Sequence, residues 1–321
     1  MKRTFFRGGR PSGPVLSYLS DDPPPGPPGK EMVVMSPHEN EAPEGPPEVV
    51  VVGAGLAGLA CAVTLMEAGV APLVLEASDG VGGRVRTDTC AGVLLDRGFQ
   101  VLLSAYPEVG TLLDFDALEP RPFSPGALVR HGGRFHPVAD PFRQPARALR
   151  TLTGPIGTLG DKLRIAGLRR DCLKGTSADQ LDGSDESTLA YLQARGFSPA
   201  ILDRFFRPFL GGIFLDPDLA TTSRMFRFVF RMFSSGDVIV PARGMGSIPG
   251  QLADRLPTGT IRLNTRVTEV GPGRVVLESG EVLATSSVVV ATDGARAAAM
   301  VPGVTAPDWC PVQCLYYAVP E

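Results

Sequence analysis

Six consecutive residues carry the clearest chemistry: Gly53-Ala54-Gly55-Leu56-Ala57-Gly58. Their spacing is G-x-G-x-x-G. In that pattern the first glycine permits a tight turn. The second leaves its backbone bare for a pyrophosphate, and the third lets a helix lie close to a strand. The N-terminus of such a helix offers free N–H groups and the positive end of its dipole to the phosphates. Alone, the pattern also describes a glycine-rich structural turn. Glu76 stands where a carboxylate accepts hydrogen bonds from both hydroxyls of an adenosine ribose, and its charge disfavours a 2′-phosphate. Gly82-Gly83-Arg84 follows closely. Two glycines can form a concave anion-binding backbone, and the arginine adds a bidentate cation. A plain NAD domain does not require this second phosphate segment, so the pattern favours FAD.

These residues need a strand–turn–helix–strand frame. Val49–Val52 is a continuous apolar run of the kind that makes a buried parallel strand. Leu56–Ala68 reads as a helix closed by Gly69, and Leu73–Leu75 as the second strand, ending at Glu76. Further on, Ala127–Arg130 and Arg134–His136 predict a hairpin around His131-Gly132-Gly133. Helices are expected around Ile165, Leu168 and Cys172, from Ser198-Pro199, and over Ser223–Phe233. In the last of these, Phe226, Phe230 and Phe233 share one side and Arg224, Arg227 and Arg231 another. Strands return at Val238–Val240, Ile261–Leu263, Arg266–Val270, Arg274–Leu277 and Val288–Ala291, with a short helix near Ser247–Leu256.

On these residues the chain resembles the flavin amine oxidase / phytoene desaturase superfamily. The matching string runs from Val49 to Asp88 and joins the glycine fingerprint, the strand-end Glu76 and the segment Gly82–Thr87. LLDRGFQVLL, Leu94–Leu103, resembles the strand that leads toward the substrate domain. Phe206–Gly212, Pro241–Leu256, Thr265–Val270 and Val288–Thr292 match in turn. The resemblance implies FAD as cofactor, held by residues 53–58, Glu76, Ala77, Gly82, Gly83, Arg84, Val267, Ala291 and Thr292. It implies an α/β fold: a Rossmann-like FAD-binding domain, doubly wound and discontinuous (48–104 and 236–303), with a mixed α+β substrate domain (105–235). Residues 304–321, with CLYYAV at Cys314–Val319, are expected to begin a strand returning to that domain. Two departures stand out. Arg243 replaces a glycine of the family's P-x-G-G-M segment, and the closing Gly-Asp segment is not found, so the C-terminal third of the pattern is missing.

The expected function is FAD-dependent removal of a hydride from a hydrophobic or amine substrate, by a desaturase or oxidase. The alternative is a truncated, non-catalytic member of the same fold that keeps partial dinucleotide binding. Flavin enzymes carry out the redox step at the ring, so the protein mainly positions the substrate. No catalytic residue can be assigned, and no metal site is expected. His131 and His136 read as hairpin surface residues. A net charge of -3 argues against a nucleic-acid partner. Lys162, Arg164, Arg169 and Arg170 beside Ile165 and Leu168 could rest on an anionic membrane, although a solvated basic face is the more frequent meaning of such a run. Residues 1–47 read as a disordered proline-rich tail. Its early Lys2, Arg3, Arg7 and Arg10 weakly resemble a transit peptide. With five cysteines and no disulfide pattern, the expected location is intracellular, in the cytoplasm or an organelle.

Overall fold

The computed structural model describes residues 46–98, 100–139, 143, 144, 151 and 154–319. All but the last two residues of the expected tail lie outside this set. The compact unit that holds the site runs from Asn40 to Cys314.

Its centre is a parallel sheet of β1 (Val49–Val52), β2 (Pro72–Leu75), β10 (Ile261–Arg262) and β14 (Ser287–Val290), in the order β10-β2-β1-β14. The first strand is therefore interior, and strands from far later in the chain flank the early pair. All four β1 valines are buried, which explains why the segment is apolar without alternation. On one face α1 (Leu56–Glu67) and α8 (Ser247–Asp254) bring Leu59, Ala62, Val63 and Leu252 against Val49, Val51 and Val74. On the other, Val50, Val52, Leu73 and Leu75 pack against Val267, Val275 and Leu277. Those three belong to an antiparallel meander of β11 (Val267–Gly271), β12 (Arg274–Leu277) and β13 (Val282–Ala284). The expected α/β cofactor domain is present, with a β-meander covering the face where a doubly wound sheet carries helices.

The segment Leu94–Leu103 is not one strand. It divides into β4 (Val93–Asp96), paired with β3 (Thr87–Cys90), and β5 (Leu102–Leu103). β5 joins a second antiparallel sheet with β9 (Val238–Pro241) and β6 (Pro120–Pro122). Arg97 and Gly98 break the run, Gly98 at a φ of 111°. The predicted hairpin forms as β7 (Ala127–His131) and β8 (Arg134–Val138).

A helical region has its own core of Leu168, Cys172, Leu192, Phe197, Ile201, Phe206, Leu210 and Phe226. It is built by α3 (Leu159–Cys172), α4 (Thr188–Ala194), α5 (Pro199–Ile201), α6 (Arg207–Phe214) and α7 (Ser223–Ser235); a one-turn α2 (Val109–Leu112) lies earlier in the chain. Asp161 ties two of these elements together. Fully buried, it accepts bonds from Thr158 N and Oγ1 and from Ser198 N and Oγ, at 2.6–2.8 Å, joining the caps of α3 and α5. Burial opposes its ionisation, but the hydrogen bonds prevail and hold the carboxyl at about 2. The α7 arginines act as staples: Arg224 pairs with Asp185, Arg227 reaches Asp182 O, and Arg231 reaches Cys172 O and Gly175 O.

One expectation fails outright. Cys314–Val319 has no regular secondary structure. Its side chains are exposed, so the apolar run does not gain the burial that would favour a strand.

Candidate cofactor site

The loop after β1 turns at Gly53, whose φ is 105°. A Cβ there would lie 3.0 Å from the Ala291 carbonyl oxygen and 3.5 Å from the Thr292 methyl. At Gly58 a Cβ would lie 1.9 Å from the Gly53 oxygen, so the bare helix face is what lets α1 sit on its own loop. Gly55 differs: a Cβ there would meet nothing within 4 Å. It faces open space at the start of α1, where no side chain caps the helix and no acid lies in the first turn. The N–H groups at that helix end are left for an external acceptor.

The second glycine pair is joined to the first. Gly82 N donates to Ala54 O at 2.8 Å, and a Cβ at Gly83 would lie 3.4 Å from the Gly55 Cα. Gly82 and Gly83 have φ values of 106° and 57°, which favour glycine. Arg84 follows, exposed, and no described residue bonds its guanidinium. An open loop and an uncapped helix end therefore meet the Gly82-Gly83 turn, with an exposed arginine next in the chain, a set suited to a pyrophosphate.

Glu76 is held across this loop. Its Oε2 accepts from Ala54 N at 2.7 Å, and its Oε1 accepts from Ser78 N at 2.8 Å and Ser78 Oγ at 2.7 Å. About three of the four acceptor positions of the carboxylate are thus used. The expectation that Glu76 simply presents both oxygens to a ribose needs refinement. The Ser78 hydroxyl has one proton and a second acceptor, Gly80 O, at 2.9 Å. Turning to that carbonyl frees Oε1 for a ribose hydroxyl. Ala77 lies exposed in the same turn. Thr265 N donates to Glu76 O and Asn264 N to Ser78 O, which brings β11 and buried Val267 next to the carboxylate turn. Of the residues expected at the cofactor, Gly53–Gly58 follow β1 and open α1, Glu76 and Ala77 follow β2, Gly82–Arg84 precede β3 and bond back to the β1 loop, Val267 begins β11, and Ala291 and Thr292 follow β14.

Sequence reasoning missed a polar weld beside the site. Thr87 Oγ1 donates to Asp96 Oδ1 at 2.5 Å, and Asp96 Oδ1 also accepts from Met245 N at 2.9 Å. Gly246 N donates to Thr87 Oγ1 at 2.7 Å. A Cβ at Gly244 would lie 2.5 Å from Thr87, so the glycines of this loop are needed for contact with β3. Thr87, Asp96 and Met245 all lie in segments that resemble the family, but 149 residues separate Asp96 from Met245. Arg243 in this loop lines a shallow pocket with Arg86, Thr87, Thr89 and Ser247. Arg86 also bonds Asp79 at 2.8 Å and holds that carboxyl below the usual range. A further helix, α9 (Gly294–Met300), was not anticipated; Asp293 caps it by accepting from Arg296 N.

The fold and this geometry define a dinucleotide-binding flavoprotein. The chain matches the family described as flavin containing amine oxidoreductase over residues 56–311, and it belongs to that family. Its cofactor is FAD. The chain is 31% identical over 212 residues to protoporphyrinogen oxidase 2, chloroplastic/mitochondrial, of Arabidopsis thaliana, covering 64% of this chain and 40% of that one. It is 47% identical over 72 residues to putrescine oxidase of Kocuria rosea, covering 22% of this chain and 15% of that protein. Among solved structures, putrescine oxidase bound to putrescine superposes with a TM-score of 0.57 at 20% identity, over 79% of this chain and 60% of the other. At that identity the likeness shows the fold. The chain spans 40% of the plant relative and about 60% of the solved structures.

Proposed function

We propose that the protein is an FAD-dependent desaturase or oxidase that removes a hydride from a hydrophobic or amine substrate. The observation that carries this reading is the joining of the Gly55 and Gly83 turns beside Glu76, with open space at Gly55. When bound, FAD supplies the hydride acceptor. The α1 N-terminus and Arg84 hold the pyrophosphate, Glu76 orients the ribose, and backbone at Val267 meets the adenine. Ala291 and Thr292 close the back of the loop at Gly53. Two matched relatives name the substrate classes: putrescine oxidase an amine, and 15-cis-phytoene desaturase, 42% identical over 71 residues, a hydrophobic polyene. The half-buried rings of Phe205, Phe209 and Phe233, 5.4 Å apart in succession, give the helical region an aromatic surface suited to an apolar substrate. We place the protein in the cytoplasm or an organelle, supported by five free cysteines and by the plant relative's chloroplastic/mitochondrial name.

The test is anaerobic. The purified chain is titrated with FAD and then mixed with putrescine or, separately, with phytoene in detergent. Loss of oxidised-flavin absorbance with one of them identifies the class. Failure to retain FAD overturns the cofactor assignment, and retention without reduction by either removes both substrate classes.

A further inference from the structure

Helix α3 has two apolar sides. Asp161, Ile165, Leu168 and Cys172 lie on the inner side, with Leu168 and Cys172 in the helical core. The outer side, at helical spacing, carries Leu159, Leu163, Ala166 and Gly167, then Arg170, Leu173 and Lys174. Leu159 is 60% exposed and Leu163 67%. Beyond Leu159, the outer-side residues from Leu163 to Lys174, with part of Arg169, line an open groove of about 650 Å³. The basic run with its neighbouring apolar residues is thereby re-sorted. Ile165 and Leu168 face the core, and Arg169 turns in to bond Ser234 O at 2.7 Å.

The charge around the groove is one-sided. Residues 159–174 include Lys162, Arg164, Arg169, Arg170 and Lys174 against only Asp161 and Asp171. Asp161 is fully buried on the inner side, and Asp171 is shared among Arg170, Lys174 and Arg195, so positive charge remains in excess. Arg170 is exposed at the groove end and Arg164 at its flank. We propose that the outer side of α3 docks on an anionic lipid surface, with Leu159 and Leu163 entering the acyl boundary and Arg164, Arg170 and Lys174 meeting lipid headgroups. A second copy fits this surface poorly, because a two-fold contact would set the same cations against each other. No described helix is long and apolar enough to cross a membrane, so the contact is peripheral.

The full chain is sedimented with vesicles of phosphatidylcholine alone or with phosphatidylserine added. The expected result is binding to the anionic vesicles only, weakened by salt. Leu159→Glu with Leu163→Glu should abolish it. Arg170→Gln and Lys174→Gln should each weaken it about fivefold, from roughly 1 kcal/mol per surface cation. These side chains are exposed, so circular dichroism and FAD binding should not change. Equal binding to both vesicles, no binding, or binding unaltered in both sets of variants overturns the proposal. So does a concentration-dependent dimer in size exclusion that Leu163→Glu disperses, which assigns the face to a second copy.

Discussion

One methyl group added at Gly55, and one at Gly58, should separate cofactor binding from folding. At Gly55 the backbone has φ −71° and ψ 178°, an extended conformation open to alanine, and the new Cβ meets no protein atom within 4 Å. Alanine is a poorer N-cap than glycine by some tenths of a kcal/mol, while it restricts the unfolded chain by about 0.4–1 kcal/mol in favour of folding. The two nearly offset, so Gly55→Ala should shift the melting temperature by no more than about 2 °C. The methyl nevertheless fills the space a pyrophosphate must enter. Losing one or two charge-assisted bonds to backbone N–H groups, at roughly 1.5–3 kcal/mol each, weakens FAD at least about tenfold. Gly58→Ala behaves differently. Its Cβ would lie 1.9 Å from the Gly53 oxygen, so the loop or the helix must move by more than about 1 Å to reach ordinary contact. Overpacking of that kind costs about 1–3 kcal/mol and also distorts the grip. The assay pairs FAD titration by flavin fluorescence with thermal melts of both variants. Wild-type FAD affinity in Gly55→Ala, or a larger melting loss there than in Gly58→Ala, refutes the assignment of the two glycines.

Glu76→Ala should weaken FAD by up to a few kcal/mol, and it also strands Ala54 N and Ser78 N, so a loss of stability of about 1 kcal/mol should accompany it in urea titrations. Arg84→Ala should raise the FAD dissociation constant about tenfold or more with an unchanged melt, because the guanidinium has no partner among the described residues; an unchanged constant removes it from the site. Asp161 has its folded pKa depressed from 3.8 to about 2, so its contribution of about 2 kcal/mol is present above pH 3.8 and is lost as pH falls toward 2. Asp161→Asn should therefore destabilise the protein by about that amount at pH 7 and progressively less in acid, read from denaturant melts at several pH values.

The cofactor half was legible because its determinants are local. The Val49–Val52 run, the glycine spacing and the strand-end Glu76 each act within a few residues, and the structure places β1, α1 and β2 within two residues of the expected limits. Long-range partners were not legible in the same way. Nothing near Asp96 indicates that its carboxylate meets Met245 N, or that Asp161 binds Ser198 across 37 residues. The Leu94–Leu103 segment misled because its apolar ends outweighed Arg97-Gly98 in the middle, although a glycine at positive φ breaks a strand more firmly than leucines extend one. The shared side of the α7 arginines was legible, but their partners were not: nothing near Arg231 in the sequence indicates that it reaches Cys172 O and Gly175 O.

The long-range contacts change what the glycine motifs mean together. Gly53 and Gly58 are required by protein contacts with Ala291 and the loop itself, whereas Gly55 is required by none. Gly82 is fixed by Val85 O, which would lie 2.3 Å from a Cβ at that position, and by Pro249 of α8; Gly244 and Gly246 are fixed by Thr87. The chain thus uses most of the glycines in these motifs to bring three separate segments into contact, and leaves one open. The Thr87–Asp96–Gly246 weld then serves the cofactor indirectly: it sets the position of β3, which begins three residues after Arg84. A grip whose second half is anchored on a loop 159 residues away ties cofactor affinity to the integrity of the β9–α8 connection. Perturbations at Gly244 to Gly246 should therefore reach the phosphates without touching them. Gly246→Ala, whose Cβ would lie 2.8 Å from Thr87 N, should weaken FAD in the same fluorescence titration, and an unchanged affinity would show that the weld and the grip are independent.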